Sequence, residues 1–426
     1  MNRFASTSRA TESLGRIALV IALVTTSSLV STSAWAGGLY VNEFATSVQA
    51  NGGNGRGAWV TDASAALHNP ASMTRLDDHS IASGFSLLIG QVEFDADSNS
   101  PSGTGNGGNQ AGLAPIATLN YVHKISDRIR LGFSAFSISG SILDPSNDWA
   151  GRFQLTEISL LTLSLTPTVA VRVTDWLSIG GGPVVTYGVL NWDLKADVGG
   201  GVEEYVRMDN LDDWQAAGRV GLLLHPSDEL GIAVYYQSKT DFNLDGTIDG
   251  PVGLTPDLKL DLPLPQFVEV SGYWQATKKV ALLATFGWED WSEADDLSVT
   301  LGPVTTGAAT GFIDTYKMGI GANYQLTDEW LLQTGVTYDT SALKNKDRTV
   351  ALPIDQQVRF AFGAQHQWSE ALTLGLSFVY VNLGQGEVDK STVRGDYDKN
   401  HAFVFGLTVA YDALPWSSKP YVKDAS

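Results

Sequence analysis

The feature that most constrains this chain is a long series of segments in which apolar residues occupy every second position. In the stretch DTYKMGIGANYQL, for example, Tyr316, Met318 and Ile320 alternate with polar residues and glycines. The same alternation recurs in residues 169–173, 190–195, 214–224 and 358–365. A period of two is typical of β-strands that have one apolar face. The pattern therefore predicts an all-β chain from residue 80 to residue 411.

Two architectures fit this alternation, a soluble β-sandwich and a membrane β-barrel. Residues 1–36 favour the barrel. They combine a basic start, an apolar run over residues 17–30 and the small residues Ala34 and Ala36, as in a cleaved secretion signal. The apolar run is shorter than the ~20 residues that a membrane-spanning helix needs, so we do not interpret it as an anchor.

The connections between the strands also favour a barrel. Short turns are predicted at residues 174–176, 327–330 and 369–371, and long polar loops at residues 95–112 and 383–400. In bacterial outer-membrane barrels the short turns face the periplasm and the long loops face the outside, and aromatic residues cluster near the strand ends. The sequence shows both properties.

The alternating segments predict fourteen strands. They lie near residues 80–94, 113–124, 129–142, 156–174, 176–197, 212–224, 230–247, 258–275, 279–300, 313–326, 330–340, 356–367, 371–388 and 401–411. An even number suits a barrel whose two termini are both periplasmic. Side chains cannot fill the interior of a barrel this wide, so it needs either a water channel or a plug.

Residues 37–79 are the natural plug, because they are too small, glycine-rich and polar to form a domain with its own core. Within them, TDASAALHNPASMTRL predicts a short helix that Thr61 or Asp62 caps and that continues to Leu67. The chain must leave helical geometry at Asn69, because Pro70 restricts the backbone of the residue before it.

Charge and composition exclude some partners. The formal net charge of −19 argues against nucleic acid or an anionic lipid leaflet as a partner. The chain has no cysteine. Burial and hydrogen bonds must therefore stabilise the fold without disulfides.

Several motifs, in this order along the chain, resemble the long-chain fatty acid outer-membrane transporters of the FadL type, which include relatives that carry aromatic hydrocarbons. They are GLYVNEF (38–44), Asn-Pro-Ala (69–71), LSLTPTVAVRV (163–173), YYQS (235–238), LPLPQFVEVSGYW (262–274), WEDWS (288–292), DTYKMGIGANYQLTDEWLLQTGVTYDTS (314–341) and RTVALPIDQQVRFAFG (348–363). The resemblance spans essentially the whole mature chain.

The resemblance implies a fourteen-stranded antiparallel transmembrane β-barrel with an N-terminal hatch inside the lumen. The expected divisions are a signal peptide (1–36), the hatch (37–79), the barrel (80–411) and a periplasmic tail (412–426). It also implies a monomer in the outer membrane of a Gram-negative bacterium, in contact with outer-membrane lipid and lipopolysaccharide. We expect no cofactor.

The function that the resemblance implies is passive uptake of hydrophobic small molecules, with long-chain fatty acids as the first expectation and aromatic or alkane hydrocarbons as the alternative. A ligand would enter the lumen, the hatch would gate it, and it would leave sideways where the third strand kinks. We place the kink at Gly140, since glycine in a strand often marks a bend; an ordinary small wall residue is the alternative.

The resemblance also suggests site residues. Asn69, Pro70 and Ala71 are the expected gating motif of the hatch. The expected ligand contacts are Leu39, which stands where the family has a phenylalanine, Phe44, and four candidate cations for a carboxylate, Lys195, Arg219, Lys317 and Arg359. The alternative for the cations is that they are lumen charges paired with acids such as Glu269.

Enzymatic and metal-binding functions have little support. The six histidines lack metal-ligand spacing, and no GxSxG nucleophile motif occurs. Residues 241–246 begin like a calcium loop, but Val252 replaces the bidentate glutamate, so a plain solvated turn is the main interpretation and a loose calcium loop the alternative. We predict no catalytic residue and no metal site. An outer-membrane enzyme or a general porin remains a weaker alternative.

Overall fold

The alternating segments form the strands of one antiparallel sheet. The computed structural model describes residues 45–137, 140–250, 256–294 and 296–411. Its strands are β1 (Ser80–Ala96), β2 (Leu113–Lys124), β3 (Ile129–Phe136), β4 (Gly140–Leu143), β5 (Glu157–Arg172), β6 (Leu177–Asp197), β7 (Glu203–Ser227), β8 (Leu230–Gln237), β9 (Thr240–Asp249), β10 (Asp257–Leu264), β11 (Phe267–Gln275), β12 (Val280–Glu289), β13 (Asp296–Leu301), β14 (Val304–Ala309), β15 (Thr315–Gln325), β16 (Trp330–Asp339), β17 (Gln357–Gln367), β18 (Leu372–Asn382), β19 (Val388–Asp389) and β20 (Arg394–Tyr411).

The sheet closes on itself, because β1 pairs with β2 on one side and with β20 on the other. Five barrel strands are each divided into two segments that follow one another, namely β3 and β4, β8 and β9, β10 and β11, β12 and β13, and β14 and β15. The two-residue strand β19 adds to β20 in an outer loop. The barrel therefore has fourteen strands, which confirms the predicted fold class.

The outer surface of the barrel is apolar over a broad belt. Large side chains that point away from the lumen are strongly exposed, including Ile320 at 70% and Leu376 at 66%. A continuous apolar surface of this size in contact with water is very unfavourable, at about 25 cal/mol per Å². The belt is the lipid-facing surface of a membrane barrel.

Among the described residues, no helix is long or apolar enough to span a bilayer.

The face of the wall that carries the apolar side chains changes along β6. Near the start of the strand, the apolar side chain of Ile179 lies on the outer face and is exposed. Further along, the apolar side chains of Leu190, Trp192 and Leu194 lie on the inner face and are fully buried. The outward positions there are polar. This reversal marks the point where the strand leaves lipid for water, and the part of the barrel beyond it encloses an apolar core.

The reversal makes one prediction wrong. Lys195 lies on the outward face of β6, and its Nζ is 3.3 Å from Asp148 and 3.4 Å from Glu203. It was predicted to face the lumen because the alternation was interpreted as if the whole strand lay in lipid. Above the membrane, the polar face is the outer face.

Some predicted boundaries are also wrong for this reason. Strand β7 begins at Glu203 and not at residue 212, and β20 begins at Arg394 and not at residue 401. Asp241–Gly246, interpreted as a turn or a calcium loop, is part of strand β9. These segments are rich in charged residues because their outward faces are solvated, and such composition resembles that of loops.

Residues 45–79 are called the hatch from here on; residues 45–76 lie inside the barrel, and residues 77–79 are exposed. They contain two short 3₁₀ helices, Ser47–Asn51 and Pro70–Arg75, and one α-helical turn, α1 (Ala65–His68). Hatch residues form hydrogen bonds or ion pairs with β1, β2, β3, β5, β6, β7, β8, β11, β12, β15, β16, β17 and β18. The hatch therefore contacts the wall on nearly every side.

The helix in the hatch differs from its prediction. It begins at Ala65 with Ser64 as the N-cap residue, and no side chain caps it. Asp62 instead accepts a hydrogen bond from Ser64 N at 2.8 Å, before the helix. Asn69 has extended backbone angles, as the following Pro70 requires, so the helix ends where it was predicted to end. The predicted signal peptide, residues 37–44 and the tail 412–426 lie outside the described residues.

Inward-facing glycines of the wall provide the space for the hatch. A Cβ atom on Gly335 would overlap the carbonyl group of Asn51, and one on Gly221 would overlap the side chain of Asn69. Gly84, Gly180, Gly319, Gly363 and Gly406 face other hatch atoms in the same way. These glycines let two backbones approach closely, which is a recurrent use of glycine in strands.

A first prediction concerns Gly335, whose missing side chain leaves a seat for the backbone of Asn51. Replacement of Gly335 by Leu should displace the hatch and leave the barrel closed, because the new side chain collides with the hatch backbone and not with the ladder. Limited proteolysis should cleave the hatch faster than in the wild-type protein, while resistance to unfolding in unheated SDS is retained. The control is Gly218→Leu, whose Cβ has no atom within 4 Å; equal cleavage of the two variants would contradict the role of the seat.

Candidate functional site

The Asn-Pro-Ala motif fastens the hatch to two adjacent strands. Asn69 Nδ2 donates to the carbonyl oxygens of Leu222 on β7, at 3.0 Å, and Val234 on β8, at 3.3 Å. Its Oδ1 accepts from Ala71 N at 3.0 Å and so caps the 3₁₀ helix that begins at Pro70. All three residues of the motif are buried. The motif is a wall anchor as well as a helix stop.

Two further asparagines, Asn51 and Asn54, fasten the hatch to β15 and β16, on another part of the wall. Asn54 Nδ2 lies 3.1 Å from Ile320 O and 3.2 Å from Val336 O. Asn51 Nδ2 donates to Asn323 Oδ1 at 2.7 Å. The sequence analysis missed both asparagines. In NGGNG (51–55) each asparagine precedes a glycine with positive φ, just as Asn69 precedes a proline.

A buried ion cluster joins the hatch to the wall between these two anchors. The guanidinium of Arg56, in the hatch, binds both carboxylate oxygens of Glu269 on β11. Lys317 on β15 reaches across β12 and places Nζ 2.7 Å from the same carboxylate. The pairing with Glu269 that was considered in the sequence therefore holds for Lys317. Arg56, which the sequence analysis missed, is its other partner.

Arg359, another candidate cation, also lies inside the barrel with an acid beside it. Its guanidinium pairs with Asp339 on β16, and Nη2 donates to Gln357 Oε1 at 2.7 Å. Both charged groups are buried. In this arrangement the positive charge of Arg359 already has a carboxylate partner.

Arg219 differs from the other candidate cations. Its Nη2 donates to the carbonyl oxygen of Leu67, in the hatch, at 2.5 Å, and its Nε donates to Tyr235 Oη at 2.9 Å. Its Nη1 is buried and has no hydrogen-bond partner among the described residues. The guanidinium also lies 5.8 Å from the centre of the Phe136 ring. Arg219 thus touches the hatch, and within the described part of the chain its Nη1 group has no acceptor.

His68 is the last residue of α1 and follows Leu67, whose carbonyl oxygen binds Arg219. Its Nε2 lies 2.9 Å from Thr46 Oγ1. Burial, followed by the nearby positive charge of Arg56, lowers the pKa of His68 to about 3. The ring is therefore neutral at physiological pH and adds no positive charge to that of the nearby Arg56, Arg219 and Lys317.

The barrel interior beyond the hatch is filled by a continuous cluster of buried apolar side chains, and this apolar interior is called the chamber from here on. It begins at Leu67 in the hatch and Phe136 at the end of β3. It continues upward through Trp192, Phe242 and Leu260 to the outer strands. The chamber is the interior of the zone in which the inside-outside pattern is reversed.

The wall is interrupted beside Phe136. The ladder between β2 and β3 ends at the pair Leu119 and Ala135, and the next described contact is the isolated bridge between Ala111 and Leu143. No other described residues between these two points form a ladder pair across β2 and the third barrel strand. Backbone groups left unpaired in lipid are costly, so a gap here is unlike the rest of the wall.

The register with β5 shifts by one residue at this gap. Phe136 is opposite Ser164 on β5, whereas Gly140 is opposite Leu161, so the third barrel strand has one residue more than β5 over this interval. Gly140 is the first residue of β4, immediately after the interruption. Ile138 and Ser139 lie outside the described residues. Strand β3 therefore ends before the glycine where the kink was predicted.

The chain is similar to known proteins over most of its length. Residues 27–412 match the family model described as outer membrane protein transport protein (OMPP1/FadL/TodX). The chain belongs to this family. It is an outer-membrane β-barrel, and members of the family are transport proteins.

Individual relatives are similar over almost their whole length. The long-chain fatty acid transport protein of Escherichia coli O6:H1 is 24% identical over 436 residues, which cover 92% of this chain and 97% of the relative. Outer membrane protein P1 of Haemophilus influenzae is 22% identical and covers 91% of this chain and 98% of its own.

Two crystal structures share the fold. A Pseudomonas aeruginosa FadL homologue superposes with a TM-score of 0.80 at 19% identity, over 86% of this chain and 98% of that one. The Ralstonia pickettii toluene transporter TbuX superposes with a TM-score of 0.65 at 18% identity, over 85% and 96%. At these identities the likeness concerns the fold alone.

Of the predicted site residues, the structure brings the Asn-Pro-Ala motif (69–71), Arg219, Lys317 and Arg359 into the lumen, and it places Lys195 outside. Leu39 and Phe44 lie outside the described residues. Within the described residues, no group of three or more His, Asp or Glu side chains is arranged to hold a metal ion.

The ion cluster provides a second prediction. Replacement of Glu269 by Gln should destabilise the docked hatch by ~3–5 kcal/mol, because Arg56 and Lys317 would lose the buried carboxylate they share. Hydrogen exchange of the hatch measures this free energy. The control is Asp245→Asn, which breaks an ion pair with Lys259 that is exposed on both sides. If hatch exchange is as slow in Glu269→Gln as in the control, the cluster does not hold the hatch.

Proposed function

We propose that this family member is a passive channel for uptake of hydrophobic small molecules across the outer membrane, with long-chain fatty acids as its preferred ligands. The observation that carries the proposal is the continuity of an apolar chamber, a hatch beneath it and a wall gap beside Phe136. A ligand in the chamber would have a solvated entrance on one side and lipid on the other.

In this proposal the ligand leaves through the gap between β2 and the third barrel strand. Leu113 on β2 and Leu161 on β5 are exposed on the lipid side of this region. An acyl chain that moves from the chamber into the bilayer keeps its apolar surroundings, which is worth ~0.8 kcal/mol per CH₂ relative to water. No energy source is needed for such a step when the ligand is consumed inside the cell.

The preference for a fatty acid rests on Arg219. Its unused Nη1 lies in the region where Phe136, the hatch and the chamber meet, and a carboxylate accepts strong hydrogen bonds from a guanidinium. The relative from E. coli O6:H1, which bears the name of a fatty acid transporter, is consistent with this preference.

A hydrocarbon is the second candidate ligand. The specific observation in its favour is that Lys317 and Arg359 already face carboxylates, so the lumen offers few positive charges to a ligand head group. The relative in R. pickettii is named a toluene transporter. Under this alternative Arg219 only positions the hatch.

A third prediction separates the two candidates. Arg219→Met should reduce the affinity for oleate by ~10-fold or more, since a hydrogen bond to a charged group contributes ~1.5–3 kcal/mol. Because Arg219 also holds Leu67, uptake of both ligands can change. The informative quantity is the ratio of oleate uptake to toluene uptake in cells that express each variant.

The matched control is Arg207→Met, which removes an outward-facing arginine of the same strand, 49% exposed in its side chain. An oleate-to-toluene ratio equal in Arg219→Met, Arg207→Met and the wild-type protein would support the hydrocarbon alternative. Uptake of neither ligand above that of cells without the protein would reject the proposed function.

A fourth prediction concerns the gap. Deletion of Ser137 removes the additional residue of the third barrel strand relative to β5 and should restore one continuous register between them. We expect uptake to fall to the level of cells without the protein, while the barrel still resists unheated SDS. Ser137→Ala is the control and should transport normally. Normal uptake by the deletion variant would exclude lateral exit at this point.

A further inference from the structure

A small polar cavity lies between the hatch and the first strands of the barrel. Its lining includes Thr46, Asp62 and Ser64 of the hatch and Thr118 and Asn120 of β2. The cavity volume is about 10 Å³. This is the space that one water molecule or one small ion occupies.

Asp62 is a buried carboxylate of the hatch that lines this cavity. The residue is 4% exposed. Its oxygens accept hydrogen bonds from Ser64 N at 2.8 Å and Thr61 Oγ1 at 3.2 Å. Among the described residues, no Lys, Arg or His forms an ion pair with it. Buried charges in proteins are normally paired or bound to a metal ion, so this carboxylate is incomplete as it stands.

Asn120 supplies a second, independent sign of a missing ligand. The residue is 1% exposed and faces the same cavity. Its Nδ2 makes one long hydrogen bond, to Ala82 O at 3.5 Å. Its Oδ1 is buried and has no hydrogen-bond partner in the described part of the chain. Buried amide oxygens almost always have a donor or a cation beside them.

The neighbouring groups are also oxygens. Thr46 Oγ1 can donate its proton to the neutral ring of His68, which leaves its lone pairs available to the cavity. The Ser64 hydroxyl lines the cavity as well. A carboxylate, an amide oxygen and hydroxyls are oxygen ligands, which suit a hard cation.

We infer that this cavity is a sodium site in which Asp62 and Asn120 are the principal ligands. One negative charge and space for one small ion favour a monovalent cation over calcium, which usually takes several carboxylates. Because Asp62 belongs to the hatch and Asn120 to β2, the ion fastens the hatch to the wall. The inference does not depend on which hydrophobic molecule the protein carries.

A water molecule is the competing occupant, and it differs from sodium in one measurable respect. Water would donate to Asn120 Oδ1 and to Asp62 but would leave the carboxylate uncompensated, and its binding would not depend on the salt. Sodium binding stabilises the docked hatch by RT ln(1 + c/Kd), where c is the sodium concentration, so the stability of the docked hatch rises with sodium concentration.

The experiment measures hydrogen exchange of the hatch in the full-length protein. Exchange in residues 59–76 is compared in sodium chloride and in N-methyl-D-glucamine chloride at equal ionic strength. When the sodium concentration is about ten times the dissociation constant, exchange through opening of the hatch should be ~10-fold slower in sodium. Equal exchange in the two salts would overturn the inference in favour of water.

Two variants identify the ligands. Asp62→Asn should abolish the sodium effect, whereas Asp77→Asn, which removes an exposed carboxylate of the same hatch, should retain it. A sodium effect that persists in Asp62→Asn, or that is lost equally in both variants, would overturn the assignment.

A third variant keeps the test informative should Asp62→Asn fail to fold. Asn120→Asp adds a second carboxylate at the same site and nearly the same volume. It should make the hatch respond to calcium chloride, to which the wild-type hatch responds no more than to ionic strength. Absence of a calcium response in a barrel that still resists unheated SDS would show that Asn120 does not face a cation.

Discussion

The structure depends on one geometric constraint, which is that fourteen strands enclose more space than their own side chains can fill. The hatch fills this space, but its turns bring backbone groups of their own, and these also need partners. The wall supplies them through carbonyl oxygens. Each carbonyl has two lone pairs, so Leu222 and Val234 can accept from Asn69 without losing their place in the ladder. The inward glycines then permit the short distances that such bonds require.

The membrane divides the barrel into two zones of opposite polarity. Within lipid, the wall is apolar outside and its inner face is occupied by glycines, hydroxyls and ion pairs around the hatch. Beyond lipid, the wall is polar outside and encloses the apolar chamber. Arg219 lies where the zones meet and touches both Leu67 of the hatch and Phe136 at the wall gap. A single side chain therefore links the plug, the chamber and the irregular strand.

The sequence predicted the lipid zone well, because apolar and polar residues alternate there in the sense that membrane barrels share. Fourteen strands, the end of the hatch helix at Asn69 and the family were all accessible. Lys195 was misplaced because the same alternation has the opposite meaning outside lipid. The sequence could not predict the roles of Asn51, Asn54 and Arg56. Their partners lie hundreds of residues away, and no local sequence pattern indicates them.

Those distant partners bear on how the molecule is assembled. Gln49 bonds to Ser377 across 328 positions of sequence, and Asn54 to Val336 across 282. These residues of the hatch thus have partners on strands that come much later in the sequence. Contacts of such separation form late in folding, because the loop they close must first be ordered. The hatch can therefore form all of its hydrogen bonds to the wall only after the last strands have joined the barrel. A docked hatch is then a sign that the barrel is complete.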